Sequence, residues 1–191
     1  GSRPDSVVSH GCGWARIAKN GKTINIVTLH TWPQAYAFEA KDRDASKAEH
    51  GGDKYRRMEL EYICNHTIGT VPDAKEQLWM MMGDFNSRSS RDNWFYKYPA
   101  DDTRFLVHDY ILQNTPYVDV IAEKYPGEFK TTTGGKSRID FVYCTPALYE
   151  LVTHADVVTD GYTTPVRDPG NLSNFWHPSD HRPIVVDFNL K

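Results

Sequence analysis

A chain of 191 residues can bury a sizeable core and reads as one domain over 1–191, with no internal repeat or low-complexity tract. Its formal net charge of −3 excludes a global basic field, so a polyanionic partner would have to meet a local basic patch. No transmembrane segment is present, and Cys12, Cys64 and Cys144 form no CxxC pair, which argues against a structural zinc site. One disulfide with a spare thiol and three buried thiols both fit that cysteine count, so a secreted and a cytoplasmic location stay open.

In chain order, residues 1–13 read as a loop. Trp14–Ala18 and Thr23–Leu29 flank Asn20-Gly21, the strongest short hairpin signal, and the second arm ends at His30. A polar loop with Trp32, Tyr36 and Phe38 runs to Gly51-Gly52. Asp53 is placed to cap a helix reaching about Ile68, with Tyr55, Met58, Tyr62 and Ile63 on one face. Leu78–Met82 reads as a strand buried on both faces, leading into Gly83-Asp84-Phe85-Asn86, where Gly83 permits a sharp turn. A helix between two strands predicts a crossover unit in a mixed α/β sandwich. A polar loop with Arg88 and Arg91 follows, then the aromatic run 94–98 and a short helix around Phe105 to Leu112. Residues 126–137 are a loop with three threonines. Strands are predicted at 138–143, 151–158 and 184–188, with a loop over 159–178.

Several polar residues fall at strand ends. Asp84 and Asn86, two apart, share one side of an extended backbone, where they can hold a hard cation and a phosphate oxygen; an Asx-turn would use the same residues. Asp140 lies inside a β-branched strand and is costly there unless paired. His181 follows Asp180, a combination that alone reads as a surface pair. Together, two histidines, three aspartates and an asparagine make a kit for metal binding and proton transfer. Arg88, Arg91 and Lys97, interleaved with Trp94, Phe95 and Tyr96, can grip phosphates and stack bases, or form a polar loop over an aromatic cluster. Trp32, Tyr36 and Phe38 line a pocket or shield a core edge.

Gly-Asp-Phe-Asn at 83–86, Arg-Ile-Asp-Phe-Val at 138–142 and Ser-Asp-His-Arg-Pro at 179–183, with the strand closing on His30, resemble the endonuclease/exonuclease/phosphatase superfamily from about residue 14 to the end. The resemblance implies a four-layer α/β/β/α sandwich of the deoxyribonuclease I-like type. It implies in-line attack of water on a phosphodiester or phosphomonoester with Mg²⁺ or Mn²⁺ as cofactor. By resemblance His181 is the catalytic histidine and Asp140 its orienting partner. Asp84 and Asn86 position water, phosphate or metal, Asp180 is a metal ligand, and His30 donates to a phosphate oxygen. Arg88, Arg138 and Trp32 are the candidates for substrate contact. The substrate class stays open among nucleic acid, a phospholipid head group and a sugar or inositol phosphate.

One departure stands out. Family members begin with a strand ending in Asn and a unit ending in a metal-binding Glu, and no glutamate precedes His30 here; the first is Glu39. The expectation is a sandwich incomplete at its N-terminus, weak or absent activity for the chain alone, and a dimer or complementation by an N-terminal segment. A catalytically dead relative acting as a binding module is the alternative. A calcineurin-like metallophosphatase would need an Asp-X-His strand end and a Gly-Asn-His motif, and neither is present.

Overall fold

The computed structural model describes residues 7–159 and 179–191. Along the chain run β1 (Gly11–Lys19), β2 (Lys22–His30), α1 (Arg43–Ala48), α2 (Gly51–His66), β3 (Trp79–Asp84), α3 (Asn93–Tyr96) and α4 (Leu106–Asn114). They are followed by β4 (Val118–Asp119), α5 (Val120–Lys124), β5 (Asp140–Cys144), α6 (Pro146–Tyr149), β6 (Val152–Val157) and β7 (Ile184–Phe188). Five strands form one sheet in the order β1-β2-β3-β5-β4, and β6 pairs with β7 in a second.

The first hairpin closes at Lys19↔Lys22, and Asn20 (φ 51°) and Gly21 (φ 74°) both take the left-handed conformation that a two-residue turn of this hand demands. β2 and β3 are parallel, so the chain crosses over between them through α2; β3 and β5 are antiparallel. Alternation along β3 serves both faces. Trp79 and Met81 join Val27, Leu29, Phe141 and Tyr143 against Leu60, Ile63 and Cys64 of α2 and Val107 and Ile111 of α4. Met80 joins Ile24, Val142 and Cys144 on the other face, against Ala155 and Val157 of β6 and the inner side chains of β7. Helices, main sheet and second sheet therefore stack in that order, the mixed α/β sandwich expected. Burying a side chain as completely as Leu60 or Met81 contributes roughly 1.5–3 kcal/mol each.

The differences from expectation have local causes. α2 starts at Gly51 with His50 in the capping position, while Asp53 pairs with Arg56 inside the first turn. Met58 is 46% exposed and the inward face instead carries Arg56 and Glu59. Both charges are consumed by the loop ahead of the helix: Arg56 Nη1 donates to the carbonyls of Trp32 (2.8 Å) and Gln34 (3.0 Å). Glu59 accepts from the Trp32 N–H (2.9 Å) and from Ser9. Buried loop backbone needs such partners, and helical periodicity alone does not reveal them. α1, nucleated by Asp42 capping Asp44 and Ala45, lies in what reads as loop, and β4, α5 and α6 lie where no element is predicted. Residues 160–178 of the predicted 159–178 loop lie outside the described residues. Gly83 does not open a turn; it continues β3 at φ 146°, where a Cβ would meet the Leu29 carbonyl oxygen at 1.8 Å. The requirement for glycine is close approach of two strands.

Candidate active site

Three adjacent strands bring their polar ends to one edge of the main sheet. The parallel register places His30 beside Asp84, and the antiparallel register places Asp84 beside Asp140. His30 Nε2 stands 3.6 Å from Asp84 Oδ2. Open α/β sheets bind ligands at the carboxyl ends of parallel strands, which is where His30 and Asp84 sit.

His181 arrives from a different part of the chain. Its segment docks on the threonine loop: Arg182 N donates to the Thr132 carbonyl (2.7 Å), Gly134 N to the Asp180 carbonyl (3.2 Å), and His181 bridges Thr133. The result sets His181 Nδ1 at 3.0 and 2.9 Å from the two oxygens of Asp140. With Asp140 ionised, Nδ1 carries the proton it donates, and Nε2 is left as an acceptor. Thr132, fully buried, steadies the other side of the pair. Its hydroxyl oxygen accepts the N–H groups of Ile139 (3.1 Å) and Asp140 (3.2 Å).

The electrostatics follow from this packing. Burial pushes the Asp140 carboxyl above its ordinary range, Asp84 adds repulsion, and the Thr132 hydroxyl, acting as donor to the carboxylate, and His181 pull the other way without cancelling it. Burial alone would lower His181, but the charge and hydrogen bond of Asp140, with Asp84 and Asp180 behind them, outweigh it and raise the imidazole. Both shifts have one origin: two carboxylates and a histidine crowded into a half-buried mouth. Asp84, Asp140 and His181 each present a ligand atom within 4.8 Å of the others, and the Asp84–Asp140 repulsion is of the kind a divalent cation relieves, so the residues fit a hard metal ion.

Asn86 lies on the left-handed side (φ 45°), its N–H bonded to Asp84 Oδ1 at 2.8 Å. The Asx-turn therefore forms, and it serves the site rather than competing with it. The Asn86 amide donates to the Thr31 carbonyl (3.1 Å), which turns its Oδ1 into the atom left for a ligand. Asp180 is exposed and stands outside the three-residue group. Trp32 is half-buried, edge-on to Phe38 and close to His10, which itself packs 4.8 Å from the His30 ring. His10 thus links the Trp32 ring to that of His30. Arg88 donates to Ser137 Oγ (3.1 Å) and packs near Tyr96 and Tyr98.

Arg138 is a correction. It is 1% exposed, with Nε on Asp92 (2.8 Å) and Nη1 and Nη2 on the buried Asp119 (2.9 and 2.7 Å). Desolvation works against its charge and the two carboxylates more than restore it, so it stays a cation committed to the interior and does not touch substrate. The residues that sequence reasoning missed are Thr132, His10, Lys47, Arg104, Asp92 and Asp119. Three successive threonines were a signal for the first; the others sit in polar segments with no pattern to mark them.

No protein-family model matches the sequence, and no curated protein does either. Solved structures do match. An AP endonuclease from Archaeoglobus fulgidus superposes with TM-score 0.58 at 19% identity, covering 93% of this chain and 65% of the other. An endonuclease/exonuclease/phosphatase family protein from Bacteroides thetaiotaomicron gives TM-score 0.56 at 18% identity, over 92% and 54%. This is the deoxyribonuclease I-like fold. A double mutant of Staphylococcus aureus beta toxin with bound magnesium ions shares it at TM-score 0.55 and 18% identity, over 94% of this chain and 58% of the toxin. The chain spans about half to two-thirds of the deoxyribonuclease I-like structures it matches.

Proposed function

We propose that this chain is a divalent-metal-dependent phosphoester hydrolase of the endonuclease/exonuclease/phosphatase superfamily. The observation that carries the reading is the His181–Asp140 pair, facing Asp84 and His30 across the mouth of three strands. In this reading Nε2 of His181 accepts a proton from the attacking water, while Asp140 holds the ring in the required tautomer and steadies the imidazolium. His30 donates to a phosphate oxygen as charge builds. Asn86 and Asp84 position phosphate and ion, and Asp180 is proposed as a further ligand of the ion. Mg²⁺ or Mn²⁺ would be held by the carboxylates and the Asn86 carboxamide, and supplies charge neutralisation at the phosphate. The AP endonuclease and the magnesium-bound toxin that share the fold support this reading, and the first supports a nucleic-acid substrate.

The activity of the isolated chain is proposed to be weak, because two carboxylates crowded by a histidine are a sparse magnesium site. The exposed edge of β1 is proposed to pair with a second copy or with an N-terminal segment.

The test is turnover of bis-p-nitrophenyl phosphate and of an oligonucleotide against Mg²⁺ and Mn²⁺ concentration. Metal-dependent cleavage that falls by about 10²–10⁴-fold in His181→Ala is expected. Cleavage indifferent to that substitution overturns the assignment, and tight oligonucleotide binding without turnover in any metal favours the binding module.

A further inference from the structure

Next to Asn86 lies a cleft of about 270 Å³ whose walls include Lys47, Asp53, Arg56, Asn86, Arg88 and Arg104. Four cations face one carboxylate there, in a chain whose formal charge is −3, so the cleft is a local reversal of the molecule's sign. Arg56 is accounted for by the loop carbonyls and Asp53 that it binds. The other three are held less completely. Lys47 is tied to Asp44, whose side chain is 92% exposed, and an exposed pair of that kind contributes little. Arg104 pairs with Asp102 at 2.9 Å yet keeps 41% of its side chain in solvent. Among the described residues no carboxylate pairs with Arg88, and its buried Nε lacks a hydrogen-bond partner.

The main chain forces two of these cations together. Arg88 N donates to the Arg104 carbonyl (3.2 Å), which also accepts the Ser87 hydroxyl (2.7 Å). The two guanidinium carbons then lie 5.8 and 4.3 Å from the ring centre of the same Tyr98. The ring attracts each guanidinium while the two like charges repel one another, a repulsion that an anion bound beside them relieves. Asn86 belongs to this cleft and, through its N–H, to Asp84, so an anion here sits beside the candidate active site.

We propose that this cleft is a subsite for a second phosphate, so that the substrate carries at least two phosphates, one at His181 and one between Lys47, Arg88 and Arg104. The proposal rests on the phosphoester-hydrolase reading and narrows its substrate. A phosphodiester with a cationic head group is disfavoured, because its cation would face three others. The neighbouring phosphodiester of a nucleic-acid strand and the further phosphate of a polyphosphorylated sugar share the required chemistry.

Binding of the full chain in EDTA tests it without turnover. The probes are a thymidine trinucleotide against the dinucleotide, and inositol bisphosphate against inositol monophosphate. The added phosphate is expected to tighten binding by about tenfold or more in one series, the scale of charged hydrogen bonds. The series that responds identifies the source. In the Lys47→Gln/Arg104→Gln double variant the advantage collapses, and Lys47→Arg/Arg104→Lys retains it, with thermal melting showing all three chains folded. Equal affinity for both members of each series, or an advantage that survives the double Gln variant, overturns the proposal. A chain that shows the advantage but cleaves nothing with Mg²⁺ or Mn²⁺ keeps the subsite and loses the hydrolase reading.

Discussion

Asp140 is half-buried at the start of a strand, where an apolar residue would avoid the desolvation cost, and His181 with Thr132 offsets part of it. The pair predicts a pH dependence of known sign. A base must be unprotonated, and His181 is raised above the ordinary 6.5, so activity falls on acidification through a value higher than that. Removing the Asp140 charge takes away the chief influence raising the ring. Asp140→Asn should therefore move the acid limb of kcat/KM to lower pH while cutting its plateau by about 10³–10⁴-fold, as loss of an orienting carboxylate does elsewhere. A limb that stays put would dissociate His181 from catalysis. His30, Asp84 and Asp140 were legible in the sequence as polar residues at strand ends, which register converts into neighbours. His181 was legible only through its Ser-Asp-His-Arg-Pro motif and reaches the site by docking on the threonine loop. Arg138 was not. A cation at a strand entrance reads the same whether it meets substrate or carboxylates, and Asp119 and Asp92 come from 19 and 46 residues away.

At the scale of elements, Arg138 fastens the turn before α3 and the short β4 to β5. Tyr96 adds a hydroxyl that accepts the Arg138 N–H at 2.9 Å. Truncating the residue leaves two carboxylates with no counter-charge in the interior. Arg138→Ala is expected to lower unfolding free energy by about 3–5 kcal/mol, measured by urea denaturation; a change below 1 kcal/mol, the scale of a surface pair, would refute the buried triad. His108 of α4 completes the same junction. It is buried with Nδ1 2.7 Å from the Tyr143 hydroxyl and Nε2 3.2 Å from the Ser87 carbonyl. Burial holds it neutral, with a pKa pushed down to about 3. Long elements were readable from alternation and turn chemistry: the hairpin at Asn20-Gly21, β3, β5 and β7 all fall where expected. α1, α3, α6 and β4 were not, because two to six residues show no full period, and their existence depends on caps and tertiary contacts.

On the scale of the molecule, β1 is the exposed margin of the main sheet. All nine of its residues are exposed, Trp14 to 47% and Ile17 to 50%, and Trp14 lies over the buried Trp79 with ring centres 5.3 Å apart. A long edge strand with large apolar side chains is a template for further pairing. Sedimentation velocity over a concentration series should show self-association that Trp14→Lys suppresses. A monomer at every concentration would remove the association proposal while leaving the site untouched. Nothing in the hairpin's alternation marked this: Trp14 and Ile17 fall on opposite faces of β1, and sequence alone does not say which faces remain uncovered.

The contact between Gly83 and the Leu29 carbonyl has a reach beyond its two strands. His30 and Asp84 are each the next residue along, so their spacing is set by main chain touching main chain rather than by side-chain filling. Core substitutions that loosen Met81 or Leu60 can soften the interior and still leave that gap at its original width. The active site, in that sense, carries its own ruler, and the ruler is made of backbone.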